Sequence, residues 1–315
     1  GGCLQALALQ TYIQNLGSYV EIFDYRPDFI EDSFGVFLKD LYKKAKNSKK
    51  DLIVFFIKTV IRFPLSCIRE YKFMHFRNKF FNLSPIAMYD LSQLESNVNY
   101  DLMIFGSDQI WNPIITKAFA YEYFGNFSNS KSITASYAAS IGLGDIEAYK
   151  ENFKEGLSHL DFISVREQSA KNLISNLTEK NVSVVIDPTL LLDKSQWAKL
   201  INKKHACRKY VLVYALEINE ELIKSANKIA LEKNLPVLFF DIKNRYNTSI
   251  IRKYTANPIE FLYLIRDAEY IVTNSFHGTV FSVIFEKLFL CIPHKTTSSR
   301  TTDLLDSLGL NDRIL

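Results

Sequence analysis

The sequence predicts an α/β fold of two doubly wound units facing a cleft. At 315 residues the chain is about twice the length of a typical domain. Short apolar, β-rich runs alternate with helical patterns, as parallel βαβ construction requires. The alternation comes in two series, separated by the polar, basic stretch Asn202 to Lys209. The expected division is therefore 1–203, with an insertion over about 28–98, followed by 204–315.

In the first series the strand candidates are "YVEIFDY" at 19–25, "DLMIFG" at 101–106, "SITASYAA" at 132–139, "DFISV" at 161–165 and "VSVVID" at 182–187. Most are nearly continuous apolar runs, the pattern of strands covered on both faces. Between them, "REQSAKNLISNL" puts Ala170, Leu173, Ile174 and Leu177 at helical spacing. The second series places strands at 210–216, 236–242, 269–275 and 288–293, with helices at 218–233, 258–267 and 278–287.

Composition excludes some classes. Lys+Arg 38 against Asp+Glu 34 leaves +4, too small a charge for nucleic acid as the main partner. Cys3, Cys67, Cys207 and Cys291 form no CxxC pair and no zinc-ligand spacing, so no metal is expected and the thiols read as reduced, in a cytoplasmic protein. The chain opens on Gly1-Gly2-Cys3 without Met, so the true N-terminus is expected to lie upstream. The longest apolar stretch, Asp51 to Ile68, carries Lys58, Arg62 and Pro64 and is no membrane span. It lies in a basic, aromatic region, 41–81. Two readings stand for that region: a helical insertion packed on the first unit, or a peripheral contact with an anionic membrane.

Ligands in doubly wound sheets bind beyond the carboxyl ends of the strands, so polar residues just after apolar runs are the site candidates. After "DLMIF" comes "GSDQIWNP", where Ser107, Asp108, Gln109 and Asn112 offer hydroxyl, carboxylate and amides, and Trp111 a flat apolar face. That set suits a sugar; a turn with Trp111 in the core is the competing reading. After "FISV" comes Arg166 at a helix start, a place for an anion. Asp187, in "IDPTLLL", reads as turn chemistry. In "TNSFHGTVFSVIF", Asn274 or Ser275 caps a helix, Gly278 permits close approach, and His277 faces the cleft, where imidazole can act as acid and base. In "CIPHKTTSSRTTDLL", two readings stand for Lys295 and Arg300: a second anion pocket beside a helix start, or a solvated basic loop.

The ordered set "GGCLQALALQ", "DLMIFGSDQIWNP", "SYAASIG", "ISVREQSA", "VVIDPTLLL", "NSFHGTVFSVIF" and "SSRTTDLLDSLGL" resembles the polysaccharide pyruvyl transferase family outside the 28–98 region. The resemblance implies two Rossmann-like domains arranged as in GT-B glycosyltransferases. It implies transfer of the enolpyruvyl unit of phosphoenolpyruvate to two hydroxyls of a sugar or lipid-linked oligosaccharide, giving a pyruvate ketal and phosphate, in bacterial capsule or exopolysaccharide synthesis. No cofactor beyond the donor is implied. By position, the family's histidine falls on His277, its arginine on Arg166 and its last basic residue on Lys295, a role Arg300 can share. His277 is then expected to move protons or assist the leaving phosphate, and Asp108 to orient or deprotonate the acceptor. The alternatives are a GT-B nucleotide-sugar glycosyltransferase, against which the lone Glu286 near the relevant helix counts, and a non-catalytic glycan-binding protein.

Overall fold

The computed structural model describes residues 1–26, 49–89, 93, 100–126, 131–202, 209–217, 219–240, 251–252, 255–293 and 299–315, with 49–62, 251–252 and 299 described by secondary structure alone. The expected α/β architecture with parallel sheets is present.

The first sheet is built from β1 (Leu102–Phe105), β2 (Ile133–Ser136), β3 (Ile163–Val165) and β4 (Val182–Val184). β1 pairs with β2, from Leu102 opposite Ile133 to Phe105 opposite Ser136, and β3 pairs with β4. Single bridges from Ala135 to Phe162 and from Ala139 to Val165 join the two pairs. The second sheet has the order β7-β6-β5-β8-β9, all parallel. Its members are β5 (Val211–Tyr214), β6 (Val237–Phe240), β7 (Ile251–Arg252), β8 (Tyr270–Thr273) and β9 (Leu288–Cys291). β7 was not expected from the sequence. Among the described residues the expected strand at 19–25 is instead two isolated bridges, Ile22 to Leu83 and Tyr25 to Met88.

The described α-helices are α1 (Gly2–Asn15), α2 (Lys49–Phe80), α3 (Lys150–Ser158), α4 (Gln168–Ile174), α5 (Lys194–Lys199), α6 (Glu220–Lys233), α7 (Pro258–Asp267), α8 (Phe276–Ile284) and α9 (Ser299–Ser307), with short 3-10 turns such as Pro188–Leu191 between elements. Their ends follow local chemistry. α7 starts where predicted because Pro258 occupies its first turn and Asn257 and Glu260 form a reciprocal capping box. α8 starts two residues before its predicted position because Ser275 accepts from the Gly278 N–H, making Ser275 the cap.

β5 is covered on both faces. Leu212 and Tyr214 pack with Leu4, Leu7, Trp197, Phe261 and Phe281, while Val211 and Val213 pack with Ala226 and Val272. α1, first in the chain, thus joins the core of the second sheet. A separate core under the first sheet holds Met103, Trp111, Phe124, Phe153 and Leu157. In the insertion α2 is a single helix with Pro64 inside it, and residues 28–48 and the 203/204 division lie outside the described residues. Phe76 is buried against Phe80 and Phe81, and Lys72 pairs with Glu260 at 2.8 Å, so the end of α2 packs on the body of the protein. Phe63, Tyr71 and Met74 on its opposite face, and Ile68 one turn before Lys72, are exposed.

Candidate active site

The carboxyl ends of β1, β3 and β4 and the start of α8 converge on one cluster. Arg166 directly follows β3 and is buried. Its Nη1 donates to Asp187 Oδ2 at 2.8 Å, its Nε donates to Glu167 Oε1 at 3.2 Å, and its Nη2 lies 3.9 Å from Asp108 Oδ1. The guanidinium carbon sits 4.1 Å from the centre of the Phe276 ring, a cation–π contact away from water. Asp187 also accepts from the Thr189 N–H and Oγ1, at 2.9 and 2.6 Å. Burial would raise its pKa, but the positive charge of His277 and Arg166 and the Thr189 bonds outweigh it and hold the carboxyl at about 2.

His277 is the second residue of α8, and its Nε2 is 4.0 Å from Asp187 Oδ2. Burial, and after it the charge of the amino group at Gly1, push its pKa down to about 4 against the pull of Asp187 and Asp108, so the ring is neutral at pH 7. α1 begins against it: a Cβ on Gly1 would fall 2.1 Å from His277 Nδ1, and one on Gly2 would lie 3.6 Å from Asp108 Oδ2. Gly1 therefore lets backbone approach the imidazole, while the space at Gly2 is ordinary contact with Asp108.

Asp108 has φ of 71°, and its side chain is about a third open, at 37 %. Burial opposes its ionisation, yet His277 and Arg166 draw its pKa below the ordinary value. Arg300, on α9, is buried; with the Gln109 amide oxygen turned toward it, Nη1 and Nη2 donate at 2.8 and 3.0 Å. A guanidinium has donors and no acceptor and so favours that orientation of the amide, which in the other orientation accepts from Asn112 Nδ2 at 2.8 Å. Glu167 accepts from Ser140 Oγ at 2.6 Å, and burial raises its pKa even though Arg166 opposes the rise.

Asp108, Gln109, Arg166, His277 and Arg300 are thus brought together, with Ser107 at their edge, whereas Trp111, Asn112, Ser275 and Gly278 are engaged elsewhere. Trp111 is 1 % exposed, stacks on Phe124 with centroids 4.7 Å apart and donates to the Tyr123 carbonyl, so the core reading replaces the sugar platform. Asn112 is buried, its Oδ1 accepting from the Ile114 N–H at 3.0 Å. Ser107 donates to the Ala138 carbonyl at 2.8 Å and lies 3.3 Å from Asp187 Oδ2, holding loop rather than ligand. Ser275 is engaged as a cap, and Gly278 makes room for Thr273 and Tyr214 rather than for a ligand. Lys295 lies outside the described residues. Asp187 caps the turn Pro188–Leu191 as expected, and is also the counter-ion of Arg166. Glu167 was not singled out in the sequence, although it sits beside Arg166 in the same motif.

Three nitrogens of this cluster, Arg166 Nη2, His277 Nε2 and Arg300 Nε, are buried and have no hydrogen-bond partner among the described residues; the same holds of one oxygen, Glu167 Oε2. Buried polar atoms are seldom left so, and this arrangement suits an anion carrying several oxygens. Among the described residues, no group of three or more His, Cys, Asp or Glu side chains is placed to hold a metal ion.

The family model for polysaccharide pyruvyl transferases matches residues 1–296. The chain belongs to the polysaccharide pyruvyl transferase family. As a family member it is a transferase, and the buried cationic cluster lies within the matched span up to His277 and continues to Arg300 just beyond it. No curated protein matches the chain in sequence. Three solved structures resemble it loosely. A functionally uncharacterized protein from Klebsiella pneumoniae is 13% identical with a TM-score of 0.38, covering 58% of this chain and 63% of its own, so this chain spans less than two thirds of that protein. The UDP-GlcNAc 2-epimerase of Methanocaldococcus jannaschii, solved with UDP-GlcNAc and UDP, is 17% identical with a TM-score of 0.42, covering 71% of this chain and 68% of its own. A Listeria monocytogenes protein provisionally assigned as a UDP-N-acetylglucosamine 2-epimerase is 11% identical with a TM-score of 0.48, covering 73% and 74%. Likenesses this loose say nothing of substrate.

Proposed function

We propose that this transferase moves the enolpyruvyl unit of phosphoenolpyruvate onto two hydroxyls of one glycan sugar, forming a pyruvate ketal and releasing phosphate. The observation that carries the reading is the set of three buried, unpartnered nitrogens on Arg166, His277 and Arg300. Phosphoenolpyruvate brings a carboxylate and a phosphate, and these groups supply acceptors for the two guanidinium nitrogens, and for His277 Nε2 once it has taken up a proton. The donor methylene gains a proton, the carbon beside the carboxylate becomes oxocarbenium-like, and the two sugar oxygens bond to it in turn as phosphate leaves. Two hydroxyl protons are released; one balances the new methyl group and the other leaves with phosphate. Neutral His277 accepts and returns a proton through Nε2, with Asp187 stabilising the imidazolium, while the partly open Asp108 orients the acceptor. Lys295 contributes a further cation in this reading, and no cofactor is needed beyond the donor.

The acceptor belongs to bacterial capsule or exopolysaccharide synthesis, handled in the cytoplasm at the inner face of the membrane. The exposed Phe63, Ile68, Tyr71 and Met74 on α2 support a peripheral contact there. Sedimentation with anionic liposomes checks this contact: Ile68→Asp with Tyr71→Asp should abolish binding.

The donor is tested by thermal shift with phosphoenolpyruvate beside UDP- and GDP-sugars. A ligand at 100 times its dissociation constant adds about 2.7 kcal/mol. Stabilisation by phosphoenolpyruvate, lost in Arg166→Ala, is expected; stabilisation by a nucleotide sugar instead would overturn the reading in favour of glycosyl transfer.

A further inference from the structure

Among the described residues of the cluster, Glu167 is the carboxylate to which the proposed reaction gives no role. Its place is set through Oε1, which accepts from Arg166 Nε at 3.2 Å and from Ser140 Oγ at 2.6 Å. The Ser140 N–H in turn donates to the Asp108 carbonyl at 2.9 Å, so Glu167 ties the guanidinium to the loop that carries Asp108. Its other oxygen, Oε2, is buried and receives no hydrogen bond from a described residue. A buried carboxylate oxygen without a donor is costly, whereas in a carboxylic acid the same oxygen becomes a donor itself.

The surrounding charges say what would bring that change about. Arg166 and Arg300 act on Glu167 with positive charge. Asp108, Asp187 and the neutral His277 complete the charged and titratable side chains of the cluster, and Asp303 of α9 is taken by the Ser169 N–H and Oγ at 3.4 and 3.3 Å. Two guanidiniums thus meet three carboxylates. Lys295, the further cation of the proposed function, would bring the balance to even and not to a surplus. An anion of two or more charges that enters here meets a buried like charge on Glu167, in surroundings that screen it poorly. Burial already raises the pKa of that carboxyl although Arg166 opposes the rise, and a second negative charge nearby acts in the same direction.

We propose that Glu167 is a positioning residue that takes up one proton from solvent as the anionic donor binds and gives it back when phosphate and product leave. The inference rests on the reading of this cluster as the donor site. Ionised, Glu167 holds the Arg166 fork and the Asp108 loop together. Protonated at Oε2, it keeps both bonds to Oε1 and adds an O–H to the donors of a cluster that already holds three unpartnered nitrogens. No bond to carbon forms or breaks in this step.

The test uses sulfate, which neither gains nor loses a proton near neutral pH, and the His277→Gln chain, so that the imidazole takes no part. Calorimetric titrations in two buffers of different ionisation enthalpy count the protons taken up per anion bound. About one proton is expected in that chain and none once Glu167→Gln is added. The double variant should bind sulfate at least as tightly, because its amide carries a donor from the start. Infrared difference spectra should show a carboxylic acid C=O stretch on sulfate binding that moves when glutamate is labelled with heavy carbon at the carboxyl. That band separates Glu167 from Asp108 and Asp187, and it decides the matter even if the double variant fails to fold. Sulfate binding without proton uptake, equal uptake in both chains, or no sulfate binding would overturn the proposal. Phosphoenolpyruvate titrated in parallel keeps the two readings apart. If it binds and its proton uptake is the same with and without Glu167→Gln, the donor reading stands and this one falls. If sulfate shows the Glu167 uptake while phosphoenolpyruvate does not bind, the donor reading falls and this one stands.

Discussion

Arg166 and Asp187 form a buried ion pair, Nη1 donating to Oδ2 at 2.8 Å, and each follows a different strand of the first sheet. Removing one partner of such a pair strands the other charge away from water, at roughly 3–5 kcal/mol. Asp187→Asn should therefore cost about 3 kcal/mol in urea unfolding, and Arg166→Met with Asp187→Leu should recover most of it. A loss under about 1 kcal/mol would mean that Glu167 alone neutralises the guanidinium.

Stability should fall with pH in two stages. His277 titrates at about 4 when folded against an ordinary 6.5, so between those values the unfolded chain binds the additional proton and stability drops as pH falls. Asp187 titrates at about 2 against 3.8, so its contribution, present above 3.8, is lost as pH falls toward 2. Unfolding free energies measured from pH 7 downward should show the first stage vanish in His277→Gln.

In the proposed reaction, turnover depends on the same imidazole. In a phosphate-release assay with phosphoenolpyruvate and acceptor glycan, His277→Ala should lower kcat by about 10²-fold or more. A loss under about tenfold would make the residue structural.

Gly278 sits where α8 meets β8. A Cβ there would lie 2.3 Å from Thr273 Oγ1 and 2.8 Å from the Tyr214 ring. Gly278→Ala should destabilise the fold by about 1–3 kcal/mol, and, because it displaces the start of α8, should also lower kcat; a melting curve and the phosphate assay read the two effects.

Trp111 belongs to the core, not the glycan site. Trp111→Ala should cost about 3–5 kcal/mol in denaturant unfolding, whereas in Trp111→Phe the KM for the acceptor should stay within about twofold, since no substrate contact is lost.

The strands of both series were legible because a run such as "YVLVY" is apolar on both faces, and a parallel sheet covered on each side is the structure that buries it. The start of α7 was legible because Pro258, Asn257 and Glu260 act within one turn. By itself the sequence determined the alternation, the strand ends on which Asp108 and Arg166 would lie, and the turn that carries His277. Tertiary structure decided which of these meet. Trp111 and Gln109 are two residues apart, yet one faces Phe124 and the other Arg300, a choice made by the loop path and by the Phe124 and Phe153 packing beneath it. Asp187 looked like a turn residue because its Thr189 bonds are local; its bond to Arg166 spans 21 positions and exists only once β3 and β4 are paired. Local bonding can be read from neighbours in sequence, but the partners of a buried charge are set by long-range packing.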